Sequence, residues 1–315
     1  MQHVRAITAA TAPSVCLCVP TFRRPDGLRK LLTYVERLDY PGAVRVIIVD
    51  NDAETSAGAA ITSEMAPTFR FPVQSCIEPR AGHTYAYNTA FVTACRTTPA
   101  PDFVAVLDDD EYPDGNWLKE MVGVALKYNV EIVGGPVFPV FDTPEHWLAR
   151  SGLYTPHRFA TGRVPMIYGA GSMLIRRATL EQYLDEPFLH VFAFTGGGDE
   201  DFFYRCMRDG HTFAWADEAH VFETTPPART TVSYLLRRMF RKGTGATRLE
   251  QMYAATMSAR IRRWCKALIL IGSGTLFLPI AALGGRPGIM RSLILAARGT
   301  GRIAAEFGFL YEEYK

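Results

Sequence analysis

Residues 15–52 read VCLCVPTFRRPDGLRKLLTYVERLDYPGAVRVIIVDND, and this stretch decides the fold. An apolar run, Val15 to Val19, stops at Pro20-Thr21. A helical pattern follows from Pro25 to Leu38, where Leu28, Leu31, Leu32 and Val35 recur every three or four residues and Thr21 and Asp26 suit a turn or cap. A second apolar run, Arg45 to Val49, then ends on Asp50-Asn51-Asp52. Short strands that are apolar on both faces, joined by an amphipathic helix, belong to a parallel sheet covered on both sides. The alternation continues with a helix over 54–65, a strand over 71–77, a helix over 84–95 and the strand Phe103 to Leu107. A helix from Leu118 to Tyr128 and a strand from Glu131 to Gly134 complete it. The pattern predicts a doubly wound α/β fold with a mostly parallel central sheet. Ligands of such sheets bind beyond the carboxyl ends of the strands, so Thr21, Asp50-Asn51 and Asp108-Asp109-Asp110, which end successive strands, are expected to face one crevice.

From about 135 to 225 the chain is irregular and richer in Gly, Pro and aromatics, with a strand expected at Ser172 to Ile175 and a helix beginning near Glu200. Segments of this kind build binding surfaces on a rigid scaffold. Residues 230–314 read as helices. The expected division is a nucleotide-binding and catalytic domain over 1–225 and a basic helical region over 226–315.

Composition narrows the class. With 315 residues, 48% hydrophobic and 21% charged, the chain suits a folded protein and excludes a disordered chain, a fibre and a multi-span transporter. Six scattered cysteines, without a CxxC pair or zinc spacing, read as reduced thiols of a cytosolic protein. Residues 1–14 lack a long apolar core and do not read as a signal peptide.

The net charge of +2 hides an asymmetry: residues 226–302 hold fourteen Lys or Arg and one acid, Glu250, so the rest of the chain is negative. Such a stretch suits nucleic acid or an anionic membrane face. Ala267 to Gly285 carries no charge and follows the basic cluster Arg260, Arg262, Arg263 and Lys266, which favours lipid over nucleic acid. As a helix it reaches about 28 Å, a marginal span broken by Pro279 and glycines. The expectation is a helix lying in or dipping into the cytoplasmic leaflet of the inner membrane, peripheral or monotopic; a buried core hairpin is the alternative.

Four consecutive carboxylates, Asp108-Asp109-Asp110-Glu111, close an apolar strand. They repel one another unless a cation neutralises them, and hard oxygen donors select Mg²⁺ or Mn²⁺. In an extended segment Asp108 and Asp110 share one side and Asp109 points away. A solvated acidic turn leading into Pro113-Asp114-Gly115 fits the same residues. The second acidic cluster, Thr195-Gly196-Gly197-Gly198-Asp199-Glu200-Asp201, opens a helix, whose dipole keeps a carboxylate ionised as a base must be; helix capping by Asp199 is the plainer role. Arg205 is placed to pair with an acid one turn earlier. Arg80, after a strand, can reach a base or phosphate or stand as a surface arginine, and Arg237-Arg238-Met239-Phe240-Arg241-Lys242 suits diphosphate oxygens, lipid headgroups or a solvated helix face.

Taken together and in this order, the segments over 14–245 resemble the inverting family 2 glycosyltransferases of GT-A, Rossmann-like fold. VPTFRR, with Pro20, Thr21 and Arg23, is similar to the opening strand and turn that holds the nucleotide base, and Asp50-Asn51 to the second-strand acid that reads uracil. GHTYAYN (82–88), with Arg80 before it, resembles the family's G-x-x-x-A-x-N. The resemblance implies that Asp108 and Asp109 lie near the ribose and uridine and that Asp110, with Asp108, holds Mn²⁺ or Mg²⁺. It implies that Asp199 is the catalytic base by register, with Glu200 and Asp201 able to slip into the role, because Gly198 stands where glutamate is usual. Tyr168 to Met173, with Gly171, resembles the loop lining the sugar pocket, and Arg238 and Arg241 belong to the basic helix near the donor, with Phe240 where tryptophan is usual. PTFRRP and ETTPPAR (223–229) look closest to bacterial exopolysaccharide glucosyltransferases acting on lipid-linked oligosaccharides. The partners implied are a UDP-sugar donor, a lipid-linked saccharide acceptor and an anionic membrane surface, with no nucleic acid. Sugar nucleotidyl transfer needs a glycine-rich phosphate loop after the first strand, and PTFRRPDG is not one; no P-loop or G-x-G-x-x-G stands there either. A membrane-surface scaffold without catalysis leaves both acidic clusters without a role.

Overall fold

A computed structural model describes residues 12–312; most of the segment read as no signal peptide lies outside them. The elements are β1 (Val15–Thr21), α1 (Pro25–Val35), β2 (Val44–Asp50), α2 (Ala57–Met65), β3 (Val73–Ile77), α3 (His83–Cys95), β4 (Phe103–Val106), β5 (Glu111–Pro113) and α4 (Trp117–Tyr128). There follow β6 (Ile132–Gly134), β7 (Val137–Phe141), α5 (Trp147–Arg150), β8 (Gly162–Val164), β9 (Met173–Arg176), α6 (Arg177–Leu180), α7 (Gly198–Arg208), β10 (Phe213–Trp215) and β11 (Val221–Thr225). The chain ends in α8 (Val232–Tyr253), α9 (Met257–Leu276), α10 (Leu278–Ala282) and α11 (Gly285–Glu306). Two compact units form: one from the described residues up to 138 with 156–193 and 198–223, the other from 139–155, 194–197 and 224 onward.

The first unit is built on an eight-stranded sheet in the order β3-β2-β1-β4-β9-β6-β10-β8. β1, β2, β3 and β4 are parallel, as are β6 and β10, while β9 runs antiparallel between β4 and β6. The strands alternate between two cores, as a pleated chain covered on both faces must. Leu17, Val19, Val46 and Ile48 pack with Leu28, Leu31 and Leu32 of α1 and with Trp117 and Met121 of α4. Cys16, Cys18, Ile47 and Val49 pack on the other face with Ala90 and Phe91 of α3 and Phe202, Phe203 and Cys206 of α7. Each fully buried Leu or Phe contributes roughly 1.5–3 kcal/mol relative to an exposed one. All six cysteines are free of disulfides.

Several boundaries differ from the sequence expectation. α1 ends at Val35, not Leu38, and α2 begins at Ala57, because Asp52 to Thr55 form a turn. A small second sheet, β5-β11-β7, was not expected; its β5 is too short to show a period. Asp108 to Glu111 is a tight turn, closed by the Glu111 amide donating to the Asp108 carbonyl (3.0 Å), so the alternation argument for Asp108 and Asp110 does not apply.

In the second unit, Thr231 and Thr256 cap α8 and α9 by accepting from the Tyr234 and Ala259 amides. Arg263 pairs with Glu306 and Arg302 with Glu250, tying α9 to α11 and α11 to α8. The helices approach closely at small residues: a Cβ on Gly274 of α9 meets the Ser292 carbonyl of α11 at 2.5 Å, and one on Gly243 of α8 meets the Arg298 carbonyl at 2.2 Å. The uncharged 267–285 stretch is not one helix, since it breaks at Phe277 between α9 and α10. Nor is it a buried hairpin, because Leu276, Phe277, Ile280 and Leu283 are exposed. Among the described residues no helix is long and apolar enough to cross a membrane.

Candidate active site

Strand register sets the site. Thr21 pairs with Asp50 and Asp50 with Ile77, while the Glu78 amide donates to the Asp50 carbonyl (2.9 Å) and the Leu107 amide to the Cys18 carbonyl (3.2 Å). The carboxyl ends of β1, β2, β3 and β4 therefore share one edge, which carries Thr21, Asp50-Asn51, Glu78 and Asp108. Because β9 is antiparallel and begins opposite Val106 and Gly134, it brings Gly171 and Ser172 to the same edge.

The acidic turn is the centre of this edge. Asp109 accepts from the Thr21 hydroxyl (2.9 Å), the Phe22 amide (3.2 Å) and Arg24 Nη1 (2.8 Å), and the same nitrogen reaches Asp110 (2.8 Å). Asp108 accepts a short hydrogen bond from the Tyr87 hydroxyl, and its amide donates to Glu111 Oε2 (2.9 Å). Burial, then the neighbouring charge of Asp110, pushes the Asp108 carboxyl well above the ordinary range; burial and Asp108 do the same to Glu111. Glu223, paired opposite Glu111 in the small sheet, adds further negative charge to both. The Glu111 carboxylate lies where a Cβ of residue 171 would stand, 2.1 Å from Oε1, so Gly171 makes room for it.

Tyr87 joins the two acidic clusters. Its ring stacks on Phe188 (centroids 5.0 Å apart), and burial followed by the charges of Asp108, Glu111 and Asp199 pushes its phenol upward. Asp199, Glu200 and Asp201 form the first turn of α7. Asp199 and Glu200 are half-buried, whereas Asp201 is fully buried and accepts from Arg205 Nε (2.9 Å), the ion pair that the one-turn spacing suggested.

The nucleotide-side residues are bound up with the loops. Asp50 accepts from the Asp52 amide (3.0 Å) and from the Ala59 amide (3.0 Å) in the first turn of α2. Asn51 donates to the Glu78 (2.9 Å) and Arg80 (2.7 Å) carbonyls and accepts from the Gly82 amide (3.1 Å), clamping the loop before α3. Arg80 forks onto both oxygens of Glu78 (2.8 Å each) and lies over the Tyr85 ring (4.6 Å). These bonds, first among the causes, hold the Glu78 carboxyl down at about 2. Arg23 is exposed and pairs with Asp52 (3.1 Å) and Glu54 (2.7 Å), and Pro20 lies within β1 beside Val49. Arg238 and Arg241 stand on α8 in the second unit, on one helix face with Arg248, which donates to the Thr195 hydroxyl (3.4 Å).

Sequence reasoning passed over Arg24, Tyr87 and Glu223 as site residues. Arg24 and Tyr87 lie inside the PTFRRP and GHTYAYN segments and could have been found there; Glu223 is brought in only by strand pairing.

Among the described residues no three His, Cys, Asp or Glu side chains form a complete metal-binding set. Asp108 and Asp110 fit a partial one: two hard oxygen donors, of which Asp108 is pushed up by burial first and then by the charge of Asp110. Phosphate oxygens and water would complete the shell of a divalent cation held there.

A mostly parallel sheet whose strand ends gather carboxylates beside an acid-led helix defines a class, the Rossmann-like α/β proteins with a polar site at the strand ends. The profile described as glycosyltransferase like family 2 matches residues 12–245, and the chain belongs to that family. It is 33% identical over 230 residues to the succinoglycan biosynthesis protein ExoM of Rhizobium meliloti (strain 1021), covering 71% of each chain. The mannosyltransferase PcManGT from Pyrobaculum calidifontis, solved in complex with GDP-Man and Mn²⁺, superposes with a TM-score of 0.64 at 17% identity over 96% of this chain and 90% of that one. S. aureus TarS 1–349 in complex with UDP gives 0.53 at 13% identity over 96% and 97%. These likenesses establish the GT-A fold.

Proposed function

We propose that the protein transfers a hexose, with glucose as first candidate, from a UDP-sugar to a lipid-linked or polysaccharide acceptor. The transfer inverts the anomeric centre and serves exopolysaccharide synthesis at the cytoplasmic face of the inner membrane. Family membership and the likeness to ExoM support the reaction class and the polymer. The observation that carries the mechanism is Tyr87, which donates to Asp108 and stacks on Phe188 (5.0 Å), whose ring packs on Phe202 of α7 (5.6 Å). Two buried rings thus link the acidic turn to the acid-led helix.

In this reading Asp199 accepts the proton of the acceptor hydroxyl while that oxygen attacks the anomeric carbon and UDP departs from the opposite face. Asp201 is committed to Arg205, which favours Asp199 as the base. Thr21, Asp50 and Asn51 shape the nucleotide end of the edge. Asp110 with Asp108 would hold Mn²⁺ or Mg²⁺, which supplies Lewis-acid stabilisation of the diphosphate. The likeness in fold to PcManGT, solved with Mn²⁺, is in keeping with use of a divalent cation.

Asp199→Asn should lower UDP release by roughly 10²–10⁴-fold, the worth of general-base help, while UDP binding measured by calorimetry stays near wild type. Wild-type turnover in the variant would sink the assignment of the base. The donor is tested by assaying nucleotide release from a panel of UDP-sugars and GDP-mannose, with and without Mn²⁺; release from GDP-mannose alone would overturn the UDP reading.

A further inference from the structure

The second unit carries a surface for which sugar transfer by itself has no use. α9 turns Ala259, Arg263, Ala267 and Gly274 inward. Helical spacing puts Ile261, Leu268 and Leu276 along the opposite ridge, with Ile269 beside them, and all are exposed, Leu276 by 78%. The ridge runs on through Phe277 and Ile280 of α10 to Leu283, which is 88% exposed. Arg260, Arg262 and Lys266 flank the ridge rather than lie on it. An exposed apolar run of this extent marks an interaction surface. The small-residue contact at Gly274 packs α9 against α11 without using the ridge, as helices pack where lipid surrounds them.

We infer that the α9 ridge and α10 lie in the surface of an anionic bilayer. The apolar side chains enter the acyl boundary and exposed Arg262 reaches the headgroup phosphates alongside, while Arg260 and Lys266 flank the ridge paired with Glu306 (3.7 Å) and Glu250 (3.0 Å). Charge complementarity selects this occupant: the exposed cations beside the ridge belong to a stretch over 226–302 with fourteen basic residues and one acid. Of these, Arg263 and Arg302 are buried in ion pairs, and the excess remains positive, matching an anionic lipid face. A second copy of the same surface would bring like charges together. A nucleic acid would match the charge and leave the ridge bare. The inference deepens the proposed membrane-face reaction by naming the surface that meets the membrane.

Flotation of the full chain tests it, using phosphatidylcholine vesicles with and without phosphatidylglycerol. Wild-type protein should float with the phosphatidylglycerol vesicles and be weakened by salt. Leu268→Glu/Leu276→Glu should stay at the bottom, with circular dichroism and UDP binding unchanged. Arg262→Gln, which breaks no ion pair among the described residues, should weaken binding roughly fivefold. Protein that binds UDP but ignores both vesicles overturns the inference and leaves the transfer reading intact. Protein that floats but releases nucleotide from no donor upholds the inference and sinks the transfer reading. A lipid-free dimer that Leu276→Glu converts to monomer, with flotation unchanged, would assign the ridge to a second copy and overturn the inference.

Discussion

Tyr87 is the side chain on which the acidic turn leans. Its hydroxyl donates a hydrogen bond to the half-buried Asp108 carboxyl, which has no other side-chain donor among the described residues. Tyr87→Phe keeps the stack on Phe188 and removes only that bond, leaving a half-buried carboxyl without its side-chain donor. It should lower stability by roughly 1–3 kcal/mol in urea unfolding, with far-UV circular dichroism unchanged. An unchanged midpoint would show that Asp108 takes a replacement donor at no cost. The sequence displayed Asp108, Asp109 and Asp110 openly, because four consecutive acids have few explanations. It did not display Arg24 bridging Asp109 and Asp110, because which of two adjacent arginines turns inward depends on the backbone after β1, where Arg23 has a φ of 54°.

At the scale of elements, the segment between β3 and α3 is ordered by a chain of polar contacts: Asn51 on the loop carbonyls, Glu78 on Arg80, Thr89 on Glu78. Glu78 titrates at about 2 in the fold against an ordinary 4.5, so its contribution is complete above 4.5 and is lost as pH falls through about 2. Wild type should accordingly exceed Glu78→Gln in stability at neutral pH, and the difference should shrink across that interval in acid-titrated thermal melts. A difference that grows on acidification would contradict the ion pair. The long apolar strands β1 and β2 were legible because burial on both faces writes them as unbroken runs. The three-residue strands β5, β8 and β10 were not, since so few residues hold no period and pairing alone makes them strands.

Over the whole molecule, charge is partitioned: the basic residues of 226–302 belong to the second unit, and the acidic turn belongs to the first. That division was legible by counting. The helix packing behind it was not, because small residues at Gly243 and Gly274 carry no periodic signal and matter only through the carbonyls they approach. Gly274→Leu places a side chain against the Ser292 carbonyl and the Ala296 amide and should part α9 from α11, costing roughly 1–3 kcal/mol or more. Trypsin should then cleave at Arg286 and Arg298 sooner than in wild type; equal cleavage times would mean that the helices absorb the larger side chain.

The lodging of Glu111 against Gly171 carries a constraint on descent. A lineage that retains this carboxylate admits no methyl group across from it, and one that shortens the acid opens the loop to alanine. The two positions are sterically tied to each other, though neither lies near the other along the chain.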